Sequence, residues 1–321
     1  MDPKLIEIIE KELNSKSYPS NPKELYEPIR YILSLGGKRI RPLVCMMAAE
    51  MFGLPADSKS VLHLAKGLEI FHNFSLVHDD IMDEAPLRRG KATVHEKWNR
   101  DIAILSGDVM LVQAYQELIQ SESEDLKSLI DQFNRSAILV CEGQQFDMNF
   151  ETIEDVSLEE YLNMIQLKTA ELLACSLKMG AMLANASETD AEALYRFGIN
   201  LGLSFQIQDD YLDSFADASK FGKQVGGDIL ANKKTYLLLK AKENASSEQS
   251  ERLQAAMKLN GEDKVSAVLD LYRELGVDQD CEKAIDKHYQ KALEELEAIS
   301  VDAQLKAPLK NLAAKVMKRD H

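Results

Sequence analysis

Apolar residues recur at spacings of three and four along most of the chain, and no stretch alternates with the period of two that a half-buried strand requires. Three helical segments are long. The first, SKSVLHLAKGLEIFHNFSLVHDDIMD, runs without proline from an N-cap at Asp57 to Asp83. The second, LEEYLNMIQLKTAELLACSLKMGAMLANA, opens at Ser157 with Glu160 as its capping-box partner, and the third, AEALYRFGINLGLSFQIQDDYLDSFAD, opens at Thr189 or Asp190. Each is about 25–30 residues, roughly 40 Å at the helical rise, and is apolar on most faces, as a central helix is. Shorter helices are expected over Pro3–Ser15, Pro22–Leu35, Arg41–Met51, Ile102–Gln120, Leu126–Glu142, Lys234–Asn244, Glu262–Leu275, Asp280–Ile299 and Leu305–Arg319. Loops are expected at Gly36–Arg39, Gly53–Pro55, Glu84–Thr93, Glu151–Asp155 and Lys220–Asn232. With no linker or low-complexity tract, residues 1–321 are expected to form one all-α domain.

Composition narrows this further. A chain of 321 residues buries roughly 75% of its unfolded surface and needs no disulfide or metal for stability. Glycine and proline together (15 + 8 = 23) fall well below the roughly 12% of average usage, which argues against a turn-rich β-fold. Thirty-eight basic against 53 acidic residues leave a net charge of −15, unsuited to neutralising nucleic-acid phosphates. Cys45, Cys141, Cys175 and Cys281 are scattered without a CxxC, so reduced core thiols in a cytoplasmic protein are expected. The charged N-terminal stretch is unlike a signal peptide. No apolar run reaches the roughly 18 residues of a membrane span, so a soluble protein is expected.

The ends of the first and third long helices stand apart. They read Asp79-Asp80-Ile81-Met82-Asp83 and Asp209-Asp210-Tyr211-Leu212-Asp213, two copies of DDxxD. Residues four apart share a helix face, so Asp79 projects with Asp83 and Asp209 with Asp213. Stacked carboxylates repel, and at a helix C-terminus they also oppose the macrodipole. One such cluster is readily a solvated helix end; two, each after a strongly apolar helix, call for cations. Hard oxygen donors without histidine or thiolate favour Mg2+ or Mn2+ over zinc, and Mg2+ completes its octahedron with water and phosphate oxygens. Two facing acidic clusters are therefore expected to hold a diphosphate through several metal ions.

Basic loops accompany them. Gly36-Gly37-Lys38-Arg39-Ile40-Arg41-Pro42 opens a helix, and Leu87-Arg88-Arg89-Gly90-Lys91 follows the first acidic cluster. Phe221-Gly222-Lys223, Gly226-Gly227-Asp228-Ile229 and Lys233-Lys234-Thr235 follow the second. Guanidinium forks, ammonium groups and backbone amides at a helix start all suit phosphate oxygens.

The segments GGKRIRP, EIFHNFSLVHDDIMDEAPLRRGKATVH, AILSGDVML, GQQFDM, QLKTAEL and FQIQDDYLDSFADASKFGKQVGGDILANKKT follow one another over residues 36–235. Together they resemble the trans-isoprenyl diphosphate synthases of the polyprenyl synthetase family, the group of farnesyl and geranylgeranyl diphosphate synthases. The resemblance implies a large single-domain helical bundle of the isoprenoid synthase type around a central apolar cavity. It also implies head-to-tail joining of isopentenyl diphosphate to an allylic diphosphate, with loss of pyrophosphate and a fifteen- or twenty-carbon product. By the same match Asp79, Asp83 and Asp209 would bind Mg2+, three ions per site with Mn2+ able to substitute, and Asp80, Asp210 and Asp213 would support them. Arg88, Lys168, Lys223 and Lys233 would hold the allylic diphosphate, and Lys38, Arg41, His72 and Arg89 the isopentenyl diphosphate. Thr169 and Gln206 would flank the cleaving bond, with Lys168 part of that catalytic group. Phe74, five residues before Asp79 or roughly 7.5 Å along the axis, and Phe71, about a turn deeper, would set chain length. His78 would be structural, and Gln144 and Asp147 would support the basic residues. A homodimer is implied as well. The C-terminal LAAKVMKRDH departs from the tail that closes the isopentenyl site in some relatives.

Three other readings compete. A class I terpene cyclase shares the first DDxxD, but its second motif is usually an Asn/Ser/Glu triad, and here the second is DDYLD with donors for a second diphosphate retained. A di-iron helical protein needs two ExxH motifs; only Glu69–His72 supplies one. A non-catalytic prenyl diphosphate-binding subunit usually loses aspartates or basic residues, and none is lost here.

Overall fold

The computed structural model describes residues 2–216 and 226–318. They are helical apart from short connections and one minimal hairpin, so the all-α expectation holds. The chain divides into two compact units: residues 1–137, 172–195 and 298–309, and residues 138–171, 196–297 and 310–321.

The first unit is built around α4 (Lys59–Met82), which packs chiefly on α6 (Arg100–Leu118) and on α3 (Ile40–Met51). Residues of α4 are buried on nearly every side, among them Val61, Leu64, Leu68, Ile70 and Phe71, which makes it the interior helix that its unbroken apolar pattern predicts. Gly67 lets α6 come close: a Cβ there would lie 2.7 Å from Leu118 Cδ2. Around this core lie α1 (Pro3–Ser15), α2 (Lys23–Ser34), the short α5 (Val94–Lys97) and the early part of α7 (Leu126–Thr152). Strands β1 (Leu87–Arg88) and β2 (Lys91–Ala92) form an antiparallel hairpin that pairs Leu87 with Ala92 and Arg88 with Lys91. It is too short for alternation to betray it.

In the second unit, α8 (Leu158–Ile165) opens with the capping box expected at Ser157 and Glu160. It continues through a π-helical turn, Gln166–Ala170, into α9 (Glu171–Leu183), whose residues from 172 on belong to the first unit. The long α10 (Glu188–Phe215) belongs to the first unit up to residue 195 and to the second from 196. Then come α11 (Gly227–Leu230), α12 (Tyr236–Asn244), α13 (Ser247–Met257), α14 (Gly261–Glu274) and α15 (Val277–Glu297) in the second unit, and α16 (Ala303–Met317), assigned to the first up to residue 309. The core of this unit joins Tyr161, Ile165, Leu203, Ile207, Leu237, Val268, Tyr272 and Cys281.

Several expectations shift. The first long helix is capped at Ser58 rather than Asp57. In the third, Ser187 Oγ accepts from the Asp190 N–H at 3.1 Å, so the start lies ahead of Thr189. Helix α7 continues past Glu142 to Thr152 because Gly143 does not end it. A Cβ at Gly143 would collide with the backbone at Lys168, so that glycine serves close packing. Helix α13 lies where none was expected. Cys45, Cys175 and Cys281 are buried thiols, but Cys141 is exposed on α7 and is not a core residue.

Candidate active site

Helix α4 ends at the first DDxxD. Asp83 caps it with its N–H on the Asp79 carbonyl, and the Ala85 N–H reaches the Asp80 carbonyl at 3.0 Å. Asp80 is buried, Asp79 half-buried and Asp83 exposed. The hairpin explains the RRG segment. Arg89 and Gly90 both take positive φ (53° and 73°), the geometry of a two-residue hairpin turn. That turn sends Arg88 back over the helix end. Its Nε lies 2.9 and 2.8 Å from the two Asp80 oxygens, and its Nη2 lies 2.7 Å from Asp80 Oδ1 and 3.5 Å from Asp79 Oδ2. Burial works against the Arg88 charge, but the aspartates outweigh it and raise the arginine's pKa.

The GGKRIRP segment is held from inside. Arg39, at φ 46°, turns a fully buried side chain inward, to Glu69 Oε1, Glu10 Oε1 and the Leu33 carbonyl, each at 2.7 Å. Glu69 also accepts from Asn73 Nδ2 at 3.1 Å, so it is committed to structure and the ExxH reading fails. Lys38 lies exposed on the loop. Arg41 Nη1 lies 3.1 Å from His72 Nε2, and Arg41 Nε is buried without an acceptor. Burial lowers the Arg41 pKa to about 10; Glu69 opposes that shift and Arg89 adds to it. Burial, reinforced by Arg41, Arg89, Arg88 and Arg39, holds His72 neutral. Arg89 donates from Nη1 to the Gly36 carbonyl, with its guanidinium laid on Gly37. A Cβ at Gly37, whose φ is 138°, would lie 2.8 Å from Arg89 Cζ. Arg41 and Arg89 therefore form a cationic cluster beside neutral His72, with a buried donor to spare, which suits an anion.

On α4, Phe74 is half-buried against His78, ring centroids 4.7 Å apart, and Phe71, with a centroid distance of 5.5 Å. Phe71 is fully buried and packs edge-on to Phe133 at 5.0 Å, which in turn meets Tyr115 at 5.3 Å. His78 lies 3.4 Å from the Ile104 carbonyl and fills the space that Gly107 leaves, a packing role.

The second DDxxD ends α10. Asp210 is buried: Oδ2 accepts from the Tyr161 hydroxyl and from the Tyr236 N–H at 3.0 Å, and Oδ1 lies 3.4 Å from Gln206 Nε2. Burial carries its pKa to about 7, against the pull of the Tyr161 and Tyr236 hydrogen bonds. Asp213 Oδ2 accepts from the Asp228 N–H at 2.9 Å, and the Asp213 carbonyl accepts from the Gly226 N–H at 2.7 Å. Gly226-Gly227-Asp228 thus wraps Asp213. Asp209 is half-buried. Lys168 and Thr169 sit in the π-turn, an irregularity frequent at functional sites. Lys168 Nζ lies 2.5 Å from Asp147 Oδ2, the support expected of Asp147, and Thr169 Oγ1 lies 3.3 Å from Gln206 Oε1. Gln144 carries a buried Nε2 without a partner, Lys233 is exposed, and Lys223 lies outside the described residues. Arg39 and Tyr161 carry no advance signal of these roles: a buried arginine and a buried phenol read from sequence as surface and core.

No group of three or more His, Cys, Asp or Glu side chains gathers into a metal cage among the described residues. The donors are carboxylate pairs on helix ends, which fit an ion that takes one or two protein oxygens and leaves the rest to water and phosphate. Mg2+ is such an ion.

An all-helical protein with two aspartate-rich helix ends and clustered cations defines a diphosphate-handling enzyme. The polyprenyl synthetase model matches residues 22–275. A short chain isoprenyl diphosphate synthase of Methanothermobacter thermautotrophicus is 34% identical over 99% of this chain and 97% of its own. A geranylgeranyl diphosphate synthase of Sulfolobus acidocaldarius is 36% identical over 95% and 94%. A crystal structure of a geranylgeranyl pyrophosphate synthase superposes with a TM-score of 0.92 at 45% identity, covering 99% of this chain and 98% of that one. The chain belongs to the polyprenyl synthetase family and is a trans-isoprenyl diphosphate synthase, a prenyltransferase. The terpene cyclase and binding-subunit readings are not favoured.

Proposed function

We propose that the chain joins isopentenyl diphosphate head-to-tail to an allylic diphosphate and releases pyrophosphate and a twenty-carbon trans-prenyl diphosphate. The observation that carries this is the sorting of each DDxxD: its second aspartate is pinned inside while a cationic or hydroxyl–amide group stands beside it. Similarity to proteins named geranylgeranyl diphosphate synthases supports the product length.

Arg88, Lys168, Lys223 and Lys233 hold the allylic diphosphate. Lys38, Arg41, His72 and Arg89 hold isopentenyl diphosphate. His72, neutral with Nε2 accepting from Arg41, keeps its proton on Nδ1 as a further donor. The allylic C–O bond breaks with its electron pair going to the leaving diphosphate. Thr169 Oγ1 and Gln206 Oε1 turn lone pairs toward the cation, the isopentenyl double bond attacks it, and the departing pyrophosphate takes the proton. Asp79, Asp83 and Asp209 would hold Mg2+, three ions per site with Mn2+ able to substitute, and the metal would supply positive charge against the leaving diphosphate. Apolar walls would exclude water and so protect the cation.

The family match runs through residues of both compact units, which supports one functional domain over residues 1–321. A homodimer is supported by an apolar stripe along α6 and its C-cap: Leu105, Val112 and Ile119, spaced by seven residues, are each more than half exposed. No helix among the described residues is long and apolar enough to cross a membrane; cytoplasmic residence agrees with the buried free thiols. Product analysis tests the function. Dimethylallyl, geranyl and farnesyl diphosphates, each given with isopentenyl diphosphate and Mg2+, should all yield the twenty-carbon product. Absence of incorporation, or turnover of an allylic diphosphate alone, would refute it.

A further inference from the structure

We infer, given the placement of Thr169 and Gln206 beside the cleaving bond proposed above, that Tyr161 is a positioning residue that acts through Asp210 to fix which end of the Gln206 amide faces the reacting carbon.

A glutamine amide has one accepting and one donating end of nearly the same shape, and its surroundings decide which points where. At Gln206 the two orientations differ chemically. The carbonyl oxygen can stabilise an allylic cation; the NH2 end would repel it. Thr169 cannot decide the matter, because a hydroxyl both donates and accepts. Asp210 can. Its Oδ1 lies 3.4 Å from Gln206 Nε2 and stands as the acceptor there, so the NH2 end faces it and Oε1 turns to Thr169 Oγ1, 3.3 Å away. The contact is long, so it selects an orientation more than it stabilises one.

Asp210 must in turn offer that oxygen and not rotate. Two donors, the Tyr161 hydroxyl and the Tyr236 N–H at 3.0 Å, take Oδ2 and leave Oδ1 for the amide. The peptide N–H belongs to the first residue of α12 and is invariant to side-chain substitution. Tyr161, fully enclosed on α8, is therefore the side chain that sets the carboxylate's rotation. It selects between the Nε2 and Oε1 ends at one remove, seven residues before Lys168 and without a substrate contact of its own.

Tyr161→Phe removes one oxygen and keeps the ring. The expected result is a fall of about tenfold in kcat, with KM for both substrates within about twofold and thermal stability little changed. A merely structural role would move stability and leave the kcat-to-KM split alone. Placing Tyr161→Phe in a Gln206→Leu background decides the route: once the amide is gone, the tyrosine substitution should cost no more than about twofold. An equal loss in both backgrounds would overturn the inference. Should Tyr161→Phe fold poorly, Asp210→Asn serves instead. Its NH2 can occupy the Oδ1 position and invites the Gln206 oxygen, so kcat should again fall where Gln206 is present and not in the Gln206→Leu background; an equal loss in both would again refute the route. If Gln206→Leu alone keeps full activity, the placement of Gln206 at the cleaving bond is what fails, and the inference falls with it.

Discussion

Phe74→Ala should lengthen the product by one isoprene unit and then stop. Phe74 is the half-buried member of an aromatic row, and behind it Phe71 is fully enclosed, wedged edge-on by Phe133, which Tyr115 backs in turn. Removing the Phe74 ring opens the space down to Phe71, three residues away and about 4.5 Å along the helix axis. An isoprene repeat of four carbon–carbon bonds is roughly 5 Å when extended. One more unit therefore fits, and the enclosed Phe71–Phe133 pair blocks the next. Because Phe74 is only partly buried, the substitution should cost less than the roughly 3–5 kcal/mol of a fully buried Phe→Ala change, and the enzyme should stay folded. Products made from farnesyl diphosphate and labelled isopentenyl diphosphate, separated by reversed-phase chromatography after dephosphorylation, should shift from twenty to twenty-five carbons. Phe74→Ala combined with Phe71→Ala should shift them further. An unchanged product, or a broad ladder of much longer chains from the single variant, would refute the two-layer floor.

Asp79→Ala should lower kcat by about a hundredfold or more at saturating substrates and Mg2+, and near-normal turnover would remove Asp79 from the metal site. Arg39→Met should destabilise the fold by about 3–5 kcal/mol, since Glu69 is left charged in the interior, while Arg39→Met with Glu69→Met should recover most of that loss; the two melting temperatures measure it, and equal values for single and double variants would contradict a buried pair at Arg39 and Glu69 with side chains 1% and 2% exposed. Leu105→Glu with Val112→Glu should shift the molar mass by light scattering from dimer to monomer, and a dimer that persists would place its interface elsewhere.

Helices were legible because their apolar periodicity is dense, and the places where it thins are where expectation and structure part. Helix α13 buries only Leu253 and Ala256, too few to mark a stripe. Gly143 and Gly202 lie inside helices where a Cβ would strike a neighbouring backbone or Ala170, and a glycine kept for close approach is indistinguishable, in one sequence, from one that ends a helix. The acidic pairs were legible because four-residue spacing of like charges opposes stability and so calls for a ligand. Arg39 was not. It follows Lys38, which is exposed, and the left-handed backbone at Arg39, set after Gly36 and Gly37, sends its side chain the other way. Tyr161 was hidden for the opposite reason: as a buried aromatic on an apolar face it reads as core, and its hydroxyl finds Asp210 only through folding.

The two DDxxD motifs share a spelling but not an anchoring chemistry, and the difference follows from what the chain supplies nearby. Successive helix residues are about 100° apart, so residue i+1 lies about 100° from i and about 60° from i+4. Drawing the second aspartate inward thus leaves the first at the side of the helix, half-buried in both motifs, while Asp83 is exposed because it lies past the end of α4. At Asp80 a guanidinium delivered by the hairpin does this; burial raises the Asp80 pKa, and the hydrogen bonds and charge of Arg88 oppose that rise. At Asp210 the donors are a phenol and a peptide N–H, both neutral, so burial dominates and its pKa rises to about 7. In both motifs the inward residue is the one to which the family resemblance gives a supporting part. Its removal should loosen the helix end and misplace its neighbours, whereas removal of Asp79 or Asp209 should remove donor oxygens and leave the helix end in place.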